Sequence, residues 1–439
     1  MTPDPVLRRA LVVATVVAVL AAITVLVHHQ TDDVIMIAYW YVGAAVIAAC
    51  LVSFVVGRRY WRNPIPPGKV LCIVPAYNED PEGLHKTVVA LLEQTVPVDI
   101  VVIDDGSQIP VVPSVHDPRV EWRRQENTGK RGAQVAVLKD FGRSDYQFIL
   151  TVDSDSTPFP DACEHLLRAM HNSRVQAATG MIYIRNYGES WVSLAADVDI
   201  GSSCVMMRAS RSMLGALETT SGALALYRSE LLYDHLEAYA VECGTGDDRW
   251  LALRALRRGQ VVAVAEALVE TDMPTTLKGT YKQRLRWSRS WWWMLPYVGK
   301  YLGFRQCLSP VYGVIQLVVA PTMLLYIVAA TLLTGAGRYT THGHYVLLSY
   351  LAAYVFVRYA LSALYLMGRP NVPFRGKCKL FLLGTPAAVL LNMFVLTPTR
   401  YIALAKLFDN RWQTRELSPA QLAALPQSDH SANSAQAVA

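Results

Sequence analysis

Apolar runs long enough to cross a bilayer stand at both ends of this chain, and they constrain its fold more than any other feature. Residues 11–27 and 34–56 contain no charged side chain, and a transmembrane helix needs about 20 mainly apolar residues. Two further spans are predicted at 311–333 and 345–367. The middle of the chain has the mixed composition of a soluble protein. We therefore expect a globular domain inserted between membrane helices.

Basic residues beside the apolar runs predict the orientation of the chain. Arg8 and Arg9 precede the first run, and three arginines follow the second. The positive-inside rule places both groups in the cytoplasm and residues 28–33 outside. A cleaved signal peptide is the alternative for the first run, but a second span follows at once and no clear cleavage site is visible. We expect a multi-pass protein of the plasma membrane, with its middle domain in the cytoplasm.

The apolar segment 378–407 is harder to place because Pro386 and Pro398 interrupt it. A single span would leave Arg400 and the basic residues after it outside, against the positive-inside rule. We therefore expect a kinked hairpin or a re-entrant pair in this segment, followed by a disordered tail.

The amino-acid composition restricts the classes of partner that this protein would bind. The net charge is +6 and 52% of residues are hydrophobic. The basic residues cluster beside apolar runs, with no aromatic-interleaved basic patch, so we expect a lipid bilayer as partner and no nucleic acid. The seven cysteines are scattered without a CxxC pair, which favours neither a disulfide framework nor a zinc site.

Strands alternating with helices are predicted in the middle of the chain. Apolar runs at 69–75, 100–103 and 148–152 predict buried strands, and 120–122 is a candidate for another. Helical spacing occurs at 81–93 and 130–141. This alternation predicts an α/β domain, with a mostly parallel sheet and helices on both faces.

Carboxylates stand just after three of these strands. They are Glu79, Asp105, and Asp153 with Asp155. Open α/β sheets bind ligands at the carboxyl ends of their strands. On an extended chain, residues two apart point the same way, so Asp153 and Asp155 would share one hard cation with diphosphate oxygens. A lone pair of this kind is more often a polar turn, but the whole set predicts a nucleotide-and-metal site. There is no GxGxxG or GxxxxGK[ST] motif for a dinucleotide or P-loop site.

Four short motifs follow one another in a set order: VPAYNED at 74–80, DDGS at 104–107, GKR at 129–131 and DSD at 153–155. Their order and spacing resemble the family 2 glycosyltransferases, and within them the membrane-embedded polysaccharide synthases. The resemblance runs from about residue 11 to 415. It implies a GT-A-like, Rossmann-like catalytic domain between transmembrane helices, with amphipathic interface helices.

The resemblance implies donor-binding roles for six residues and a Mg²⁺ or Mn²⁺ cofactor. The alternative for Tyr77 is an aromatic side chain that only packs at the end of a strand. By resemblance, Tyr77 and Glu79 would contact the uracil, and Asp105 would contact the uridine. Lys130 would bind the phosphates. Asp153 and Asp155 would face the diphosphate, with Asp155 the main metal ligand.

Two further motifs resemble the acceptor side of these enzymes. Ser221 and Gly222 resemble a segment beside the acceptor pocket, although Ala223 stands where proline is usual. GDDR at 246–249 precedes a predicted helix at 250–258. An ordinary helix N-terminus would explain its acids. The functional interpretation makes Asp248 the general base that accepts the acceptor hydroxyl proton, with Arg249 on the acceptor side.

The segment 281–301 combines basic residues with a run of tryptophans, which suits a membrane interface. Gln283, Arg286 and Trp287 fit the QxxRW signature of processive synthases. By resemblance, the tryptophan packs beside the acceptor sugar at the mouth of a channel; an interfacial anchor alone is the alternative. A helix is also predicted at 191–211, lying along the membrane interface or simply buried.

Together these features predict five segments and one activity. We expect an inverting, processive synthase that passes a β-linked polysaccharide across the membrane. GDDR, SGAL at 221–224, WVSL at 191–194 and WQTR at 412–415 resemble bacterial hyaluronan synthases, which implies UDP-GlcNAc and UDP-glucuronic acid as donors. The predicted segments are two membrane helices at 1–62, the catalytic domain at 63–277, the QxxRW interface helix at 278–308, a membrane region at 309–415 and a tail at 416–439.

Other activities fit parts of the pattern. A chitin or chitin-oligosaccharide synthase would use UDP-GlcNAc alone and shares the DSD and QxxRW motifs. A cellulose synthase is a weaker third candidate, since no long regulatory extension is visible. A non-processive transferase acting on a lipid carrier and an inactive scaffold are further alternatives. The QxxRW signature argues against the first of these, and the full carboxylate set against the second.

Overall fold

A computed structural model describes residues 5–408 except 31, 33, 57–59, 245 and 336–342. The predicted tail at 416–439 and the motif at 412–415 lie outside the described residues. Within them, eight strands form one sheet: β1 Val70–Ala76, β2 Asp99–Asp105, β3 Val120–Gln125, β4 Phe148–Thr151, β5 Thr157–Pro158, β6 Val175–Ile184, β7 Ala225–Arg228 and β8 Gln260–Thr271.

Helices surround this sheet and extend from both ends of the central domain. Three of them continue into π-helical turns, at Cys204–Arg208, Leu380–Gly384 and Asn392–Leu396. The α-helices are α1 Pro5–Gln30, α2 Val34–Val56, α3 Pro81–Leu92, α4 Gly129–Lys139, α5 Ala162–Met170, α6 Trp191–Ser203, α7 Ala209–Met213, α8 Ser229–Tyr233, α9 Leu236–Glu242, α10 Asp247–Arg258, α11 Leu277–Tyr301, α12 Phe304–Gly335, α13 Gly343–Gly368, α14 Phe374–Lys379, α15 Thr385–Leu391 and α16 Thr397–Ala405.

The strand order is β3-β2-β1-β4-β7-β6-β8-β5. The first four strands in this order are parallel to one another, and β6 is parallel to β8. Only β7 and the two-residue β5 run against their neighbours. Strands β1 and β4 are buried along their whole length, because both faces of the sheet are covered; this explains their continuous apolar sequences. The predicted α/β domain with a mostly parallel sheet is confirmed.

The carboxylates after β4 do not continue the strand. This strand ends at Thr151, and the next residues turn, with the Ser156 N–H donating to the Asp153 carbonyl oxygen at 3.0 Å. The expectation that Asp153 and Asp155 project from an extended chain was therefore wrong. A turn lets each carboxylate meet a different part of the domain.

The helix predicted at 191–211 begins at Trp191, and it is a buried helix. Eleven of the thirteen residues of α6 are buried. It packs between β6 and α15, so the sheet lies on one side and the C-terminal helical segment on the other. The preferred expectation, that this helix lies along the membrane interface, was wrong, because protein covers Trp191–Ser203 on both sides; the alternative of a buried helix is confirmed.

Among the described residues, three helical segments are long and apolar enough to cross a membrane: Ala10–His29, Leu351–Gly368 and Phe374–Ala405. Helices also form over the other predicted spans, since α2 covers 34–56 and α12 covers 311–333.

The C-terminal segment does not reverse direction. The backbone stays helical from Phe374 to Ala405, so the expected hairpin was wrong. A π-helical turn ends two residues before each of Pro386 and Pro398. The wider turn accommodates a proline ring and its missing N–H without breaking the helix.

A glycine allows α6 to approach α13, the helix that contains the candidate span Leu351–Gly368. A Cβ on Gly201 would lie 2.2 Å from two ring carbons of Tyr365. This tyrosine is 1% exposed, so its ring has little room to move. Only the absence of a side chain lets the two helices meet at this point.

Gly201→Ala should therefore lower the thermal stability of the detergent-solubilised protein. Overpacking costs about 1–3 kcal/mol, which exceeds the gain in helix propensity of about 1 kcal/mol. Thermal unfolding measures the change, and we expect a Tm lower by a few degrees. Gly188→Ala is the matched control, because nothing lies within 4 Å of a Cβ there. An unchanged Tm in Gly201→Ala would mean that the two helices do not pack this closely.

Candidate active site

The loops after β1 and β2 are fastened to each other. Asn78 has a positive φ of 49°, a backbone conformation that asparagine tolerates better than most residues. Its backbone N–H donates to Ser107 Oγ at 2.9 Å, and its side-chain oxygen accepts from the Gln108 N–H at 2.9 Å. The motifs at 74–80 and 104–107 therefore lie side by side, as their places after neighbouring parallel strands predict.

The two aspartates after β2 have different surroundings. Asp104 accepts from the Ser107 N–H at 2.9 Å and pairs with Arg124 at 2.5 Å, so it holds its own loop. Asp105, predicted to contact uridine, accepts from the Thr128 N–H at 2.9 Å and from Gln125 at 2.7 Å. It thereby fixes the chain just before α4.

The motif after β1 also reaches the turn after β4. Glu79 is buried and accepts a hydrogen bond from the Ser154 hydroxyl. Thr87 Oγ donates to the Ser154 carbonyl oxygen at 2.9 Å. Tyr77 is partly exposed beside these contacts. The predicted nucleoside-binding residues are thus brought to the same edge of the sheet as the DSD turn.

Lys130 joins the donor side to the acceptor side. Its Nζ lies 2.7 Å from Asp153 Oδ1 and 3.0 Å from Asp247 Oδ2. Burial acts to lower the pKa of Lys130, but the two carboxylates outweigh it and raise the pKa above its usual value. The ammonium is therefore charged at any physiological pH, and its side chain is 28% exposed.

Gly222 packs against this group of charges. A Cβ at that position would lie 2.7 Å from Asp153 Oδ2 and 3.2 Å from Lys130 Nζ. The neighbouring segment is tied to α10, because Thr220 Oγ donates to the Asp248 carbonyl oxygen at 3.1 Å. Ser221 and Gly222 therefore border the predicted diphosphate region and the predicted base at once.

Asp247 and Asp248 occupy the first turn of α10. Burial acts to raise the pKa of Asp247, but Lys130 and Arg286 lower it below its usual value. Burial raises the pKa of Asp248, and the negative Asp247 raises it further, against the opposing effect of Arg249. Adjacent carboxyl groups with pKa values displaced in opposite directions are the pattern of divided acid–base roles.

Helix α10 is held in place by α11. A Cβ on Gly246 would lie 1.8 Å from Ser290 Oγ of α11, so the two helices meet directly at the acidic turn. Asp248 itself accepts from the Arg249 N–H at 2.7 Å and from the Thr219 hydroxyl at 3.4 Å. These contacts position its carboxylate and still leave it able to accept a proton.

The hydrogen-bond partners of Asp155 lie near the end of β8. It accepts from the Thr271 hydroxyl at 3.3 Å, and its carbonyl oxygen accepts from Arg185 at 3.1 Å. Arg185 also pairs with Asp272 at 2.6 Å. The two carboxylates of the DSD turn therefore have different protein partners, Lys130 for Asp153 and the end of β8 for Asp155.

The QxxRW residues of α11 have different neighbours. Arg286 is near enough to lower the pKa of Asp247. Trp287 is 37% exposed, and the guanidinium of Arg284 lies 4.4 Å from its ring centroid. Gln283 contacts the Met273 sulfur at 3.5 Å. The structure thus brings Arg286 to the acidic turn and Gln283 to the loop after β8.

Sequence reasoning missed two acidic partners. The predicted acceptor residue Arg249 lies 3.4 Å from Glu218, which also lies 3.8 Å from Arg211 and accepts from Ser309 of α12 at 3.3 Å. Nothing in the local sequence marks Glu218. Asp247 was overlooked as the partner of Lys130 although it stands beside the predicted base, so its position in GDD was an available signal.

Comparisons with known proteins agree with this geometry. The family described as "Glycosyltransferase like family 2" matches residues 66–290, which is more than half of the chain. A hyaluronan synthase of Streptococcus pyogenes is 30% identical over 368 residues, covering 79% of this chain and 83% of the relative. An N-acetylglucosaminyltransferase of Rhizobium meliloti (strain 1021) is 30% identical over 377 residues, covering 81% and 83%.

One solved structure that the chain matches is "Mannosyltransferase PcManGT from Pyrobaculum calidifontis in complex with GDP-Man and Mn2+". It is 16% identical, has a TM-score of 0.42, and the match covers 89% of this chain and all of that one. The family match and the relatives, together with the sheet and its carboxylate edge, lead to one conclusion: this chain is a glycosyltransferase of family 2 with a GT-A-like catalytic domain.

Proposed function

We propose that this enzyme is an inverting, processive synthase that builds a β-linked polysaccharide from UDP-sugars and passes it across the membrane. The observation that carries the proposal is the acidic turn of α10. Asp248, with its raised pKa, stands beside Asp247, which Lys130 holds charged next to Asp153. A proton acceptor and a cationic diphosphate partner therefore lie in one group of contacting residues.

The donor would lie along the edge formed by the loops after β1, β2 and β4. Tyr77, Glu79 and Asp105 would contact the uridine, because they border the joined loops at that edge. Lys130 would pair with the diphosphate, whose negative charge replaces that of the carboxylates it contacts in the ligand-free protein. The donor is thereby aligned with its anomeric carbon toward α10.

The DSD turn would hold a divalent cation only together with the diphosphate of the donor, which supplies further oxygen ligands. Among the described residues, no cluster of three or more His, Cys, Asp or Glu side chains could hold a metal. Mg²⁺ and Mn²⁺ commonly take one or two carboxylates and complete their shell with water and phosphate oxygens. Asp153 and Asp155 would therefore hold the ion together with the donor. When bound, the ion neutralises charge on the leaving UDP.

Asp248 would act as the general base. Its carboxylate accepts the proton of the acceptor hydroxyl as that oxygen attacks the anomeric carbon. The bond from this carbon to the UDP oxygen breaks on the opposite side, which inverts the configuration. Ser221, Gly222 and Arg286 would border the acceptor, and the partly exposed Trp287 would stack on its sugar ring.

The identity of the donors is proposed from the relatives and motifs. One relative is named a hyaluronan synthase, and the segment GDDR at 246–249 resembles that group, so we propose UDP-GlcNAc and UDP-glucuronic acid. A relative of equal identity is named an N-acetylglucosaminyltransferase. A chitin-type synthase using UDP-GlcNAc alone is therefore the second candidate.

Orientation follows from the proposed chemistry. UDP-sugars are made in the cytoplasm, and the positive-inside rule places the domain between the membrane helices there. The protein would be multi-pass in the plasma membrane, with the growing polymer leaving between the helices.

Donor requirement tests the activity directly. The protein in lipid, with Mg²⁺ or Mn²⁺, should release UDP continuously and make high-mass polymer only when UDP-GlcNAc and UDP-glucuronic acid are both present. Each donor alone is the matched control. Equal sustained release with UDP-GlcNAc alone would replace the two-donor proposal with the chitin-type synthase.

The acidic turn generates a pH prediction. Activity requires unprotonated Asp248, so the activity of the wild type should fall on the acid side at a pH set by its raised pKa. Asp247→Asn removes the neighbouring negative charge, which lowers the pKa of Asp248. The acid limb of the pH–rate profile should then move to lower pH, whatever the maximal rate.

The controls separate this effect from general damage. Asp248→Asn should abolish transfer at every pH while UDP still binds. Asp234→Asn changes an exposed surface pair with Arg258 and should leave the profile in place. An acid limb that stays unchanged in Asp247→Asn, or turnover retained by Asp248→Asn, would remove Asp248 from the role of base.

A further inference from the structure

Four helical elements bring two arginines and an asparagine around one buried aspartate. Asp199 of α6 lies 3.8 Å from Arg284 of α11 and 3.5 Å from Arg358 of α13. Asn392 donates to the same aspartate at 3.4 Å. We call Arg284 and Arg358 the arginine cluster.

The arginine cluster has more positive charge than the described part of the protein neutralises. The two guanidinium groups of Arg284 and Arg358 share the single carboxylate of Asp199. Nε of Arg284 is buried without a hydrogen-bond acceptor among the described residues. The Nη2 atoms of Arg284 and Arg358 lie 3.8 and 3.5 Å from Asp199 without forming a hydrogen bond to it, and the two side chains are only 14% and 17% exposed. Buried charged donors without acceptors are costly, so this arrangement favours an anionic ligand.

The position of the arginine cluster restricts the chemical class of this anionic ligand. Arg284 lies over the ring of Trp287, the proposed acceptor platform, at 4.4 Å. Arg358 lies inside the candidate membrane span Leu351–Gly368. An ionisable residue within a span usually marks a path for a polar substrate. The cluster therefore connects the acceptor side of the active site with the membrane helices.

We propose that the arginine cluster binds the carboxylate groups of acidic sugar units in the growing polymer as they leave the acceptor site. This rests on the proposed function and adds that the polymer is anionic, since a neutral chain offers hydroxyl and amide acceptors but no negative charge to balance these guanidinium groups. Asp199 competes for the same arginines. It keeps binding weak enough for the chain to move on, as conduction through a pore requires.

Binding of oligosaccharides tests the proposal. The protein is placed in nanodiscs of neutral lipid, and the affinities of a fluorescent hyaluronan oligosaccharide and a chitin oligosaccharide of equal length are measured. Arg358→Gln should lower the affinity for the acidic oligosaccharide by about tenfold or more, which is the loss expected for one charge-assisted hydrogen bond. The affinity for the neutral oligosaccharide should not change. Arg174→Gln is the charge-matched control, because Arg174 is exposed just before β6, at the opposite edge of the sheet.

A second variant should change affinity in the opposite direction. Asp199→Asn removes the competing carboxylate with almost no change of shape, so it should bind the acidic oligosaccharide more tightly than the wild type does. A partly unfolded protein would not produce this gain. The expected pair of results is therefore a loss in Arg358→Gln and a gain in Asp199→Asn, both confined to the acidic ligand.

Three results would overturn the inference. Equal losses for both oligosaccharides would mean that the cluster only maintains structure. Unchanged binding of the acidic one in both variants would mean that its carboxylates do not meet the cluster. Binding of anionic-lipid vesicles lost in Arg358→Gln, with oligosaccharide binding intact, would assign the cluster to lipid phosphate. Wild-type polymer synthesis from both donors, measured in parallel, shows whether the proposed function stands when the inference fails.

Discussion

The site depends on one ammonium group placed between two carboxylates. Without Lys130, Asp153 and Asp247 would face each other across a partly buried gap, and their repulsion would separate the turn after β4 from α10. With it, α4, that turn and α10 are joined by contacts of 2.7 and 3.0 Å. Lys130 also keeps Asp247 charged, and this charge helps to raise the pKa of Asp248. In the proposed mechanism, donor binding and the strength of the general base would therefore be linked through one side chain.

A buried ion pair and a hydrogen bond join the catalytic domain to the C-terminal helices, and α6 lies between the two parts. Just beyond the end of α13, Arg369 pairs with Asp197 of α6 at 3.0 Å, with side-chain exposures of 1% and 0%. The same guanidinium donates to the Ile184 carbonyl oxygen at the end of β6 at 2.6 Å. Removing one partner of such a buried pair costs about 3–5 kcal/mol. The sheet that holds the donor edge is thus fixed to the helices through which the polymer would leave.

Local sequence was sufficient for the sheet and for the neighbourhood of the site, since fully buried strands have continuous apolar sequences and parallel strands end at one edge. It was insufficient where tertiary packing decides. The DSD residues turn because Ser156 closes a hydrogen bond to Asp153. Helix α6 is covered on both sides by elements distant in the chain, and no local pattern distinguishes that from a membrane surface. The prolines at 386 and 398 predicted a reversal, but π-helical turns accommodate them.

Equilibrium binding of UDP with Mg²⁺ tests most directly whether Lys130 is the diphosphate partner at the centre of the site. Calorimetry would compare the wild type with Lys130→Gln and with Lys139→Gln, which changes an exposed lysine on the same helix that pairs with Glu237. The account predicts affinity at least about tenfold weaker in Lys130→Gln, because a charge-assisted contact is lost and two carboxylates are left facing the phosphates, and wild-type affinity in Lys139→Gln. Wild-type affinity in Lys130→Gln would contradict it.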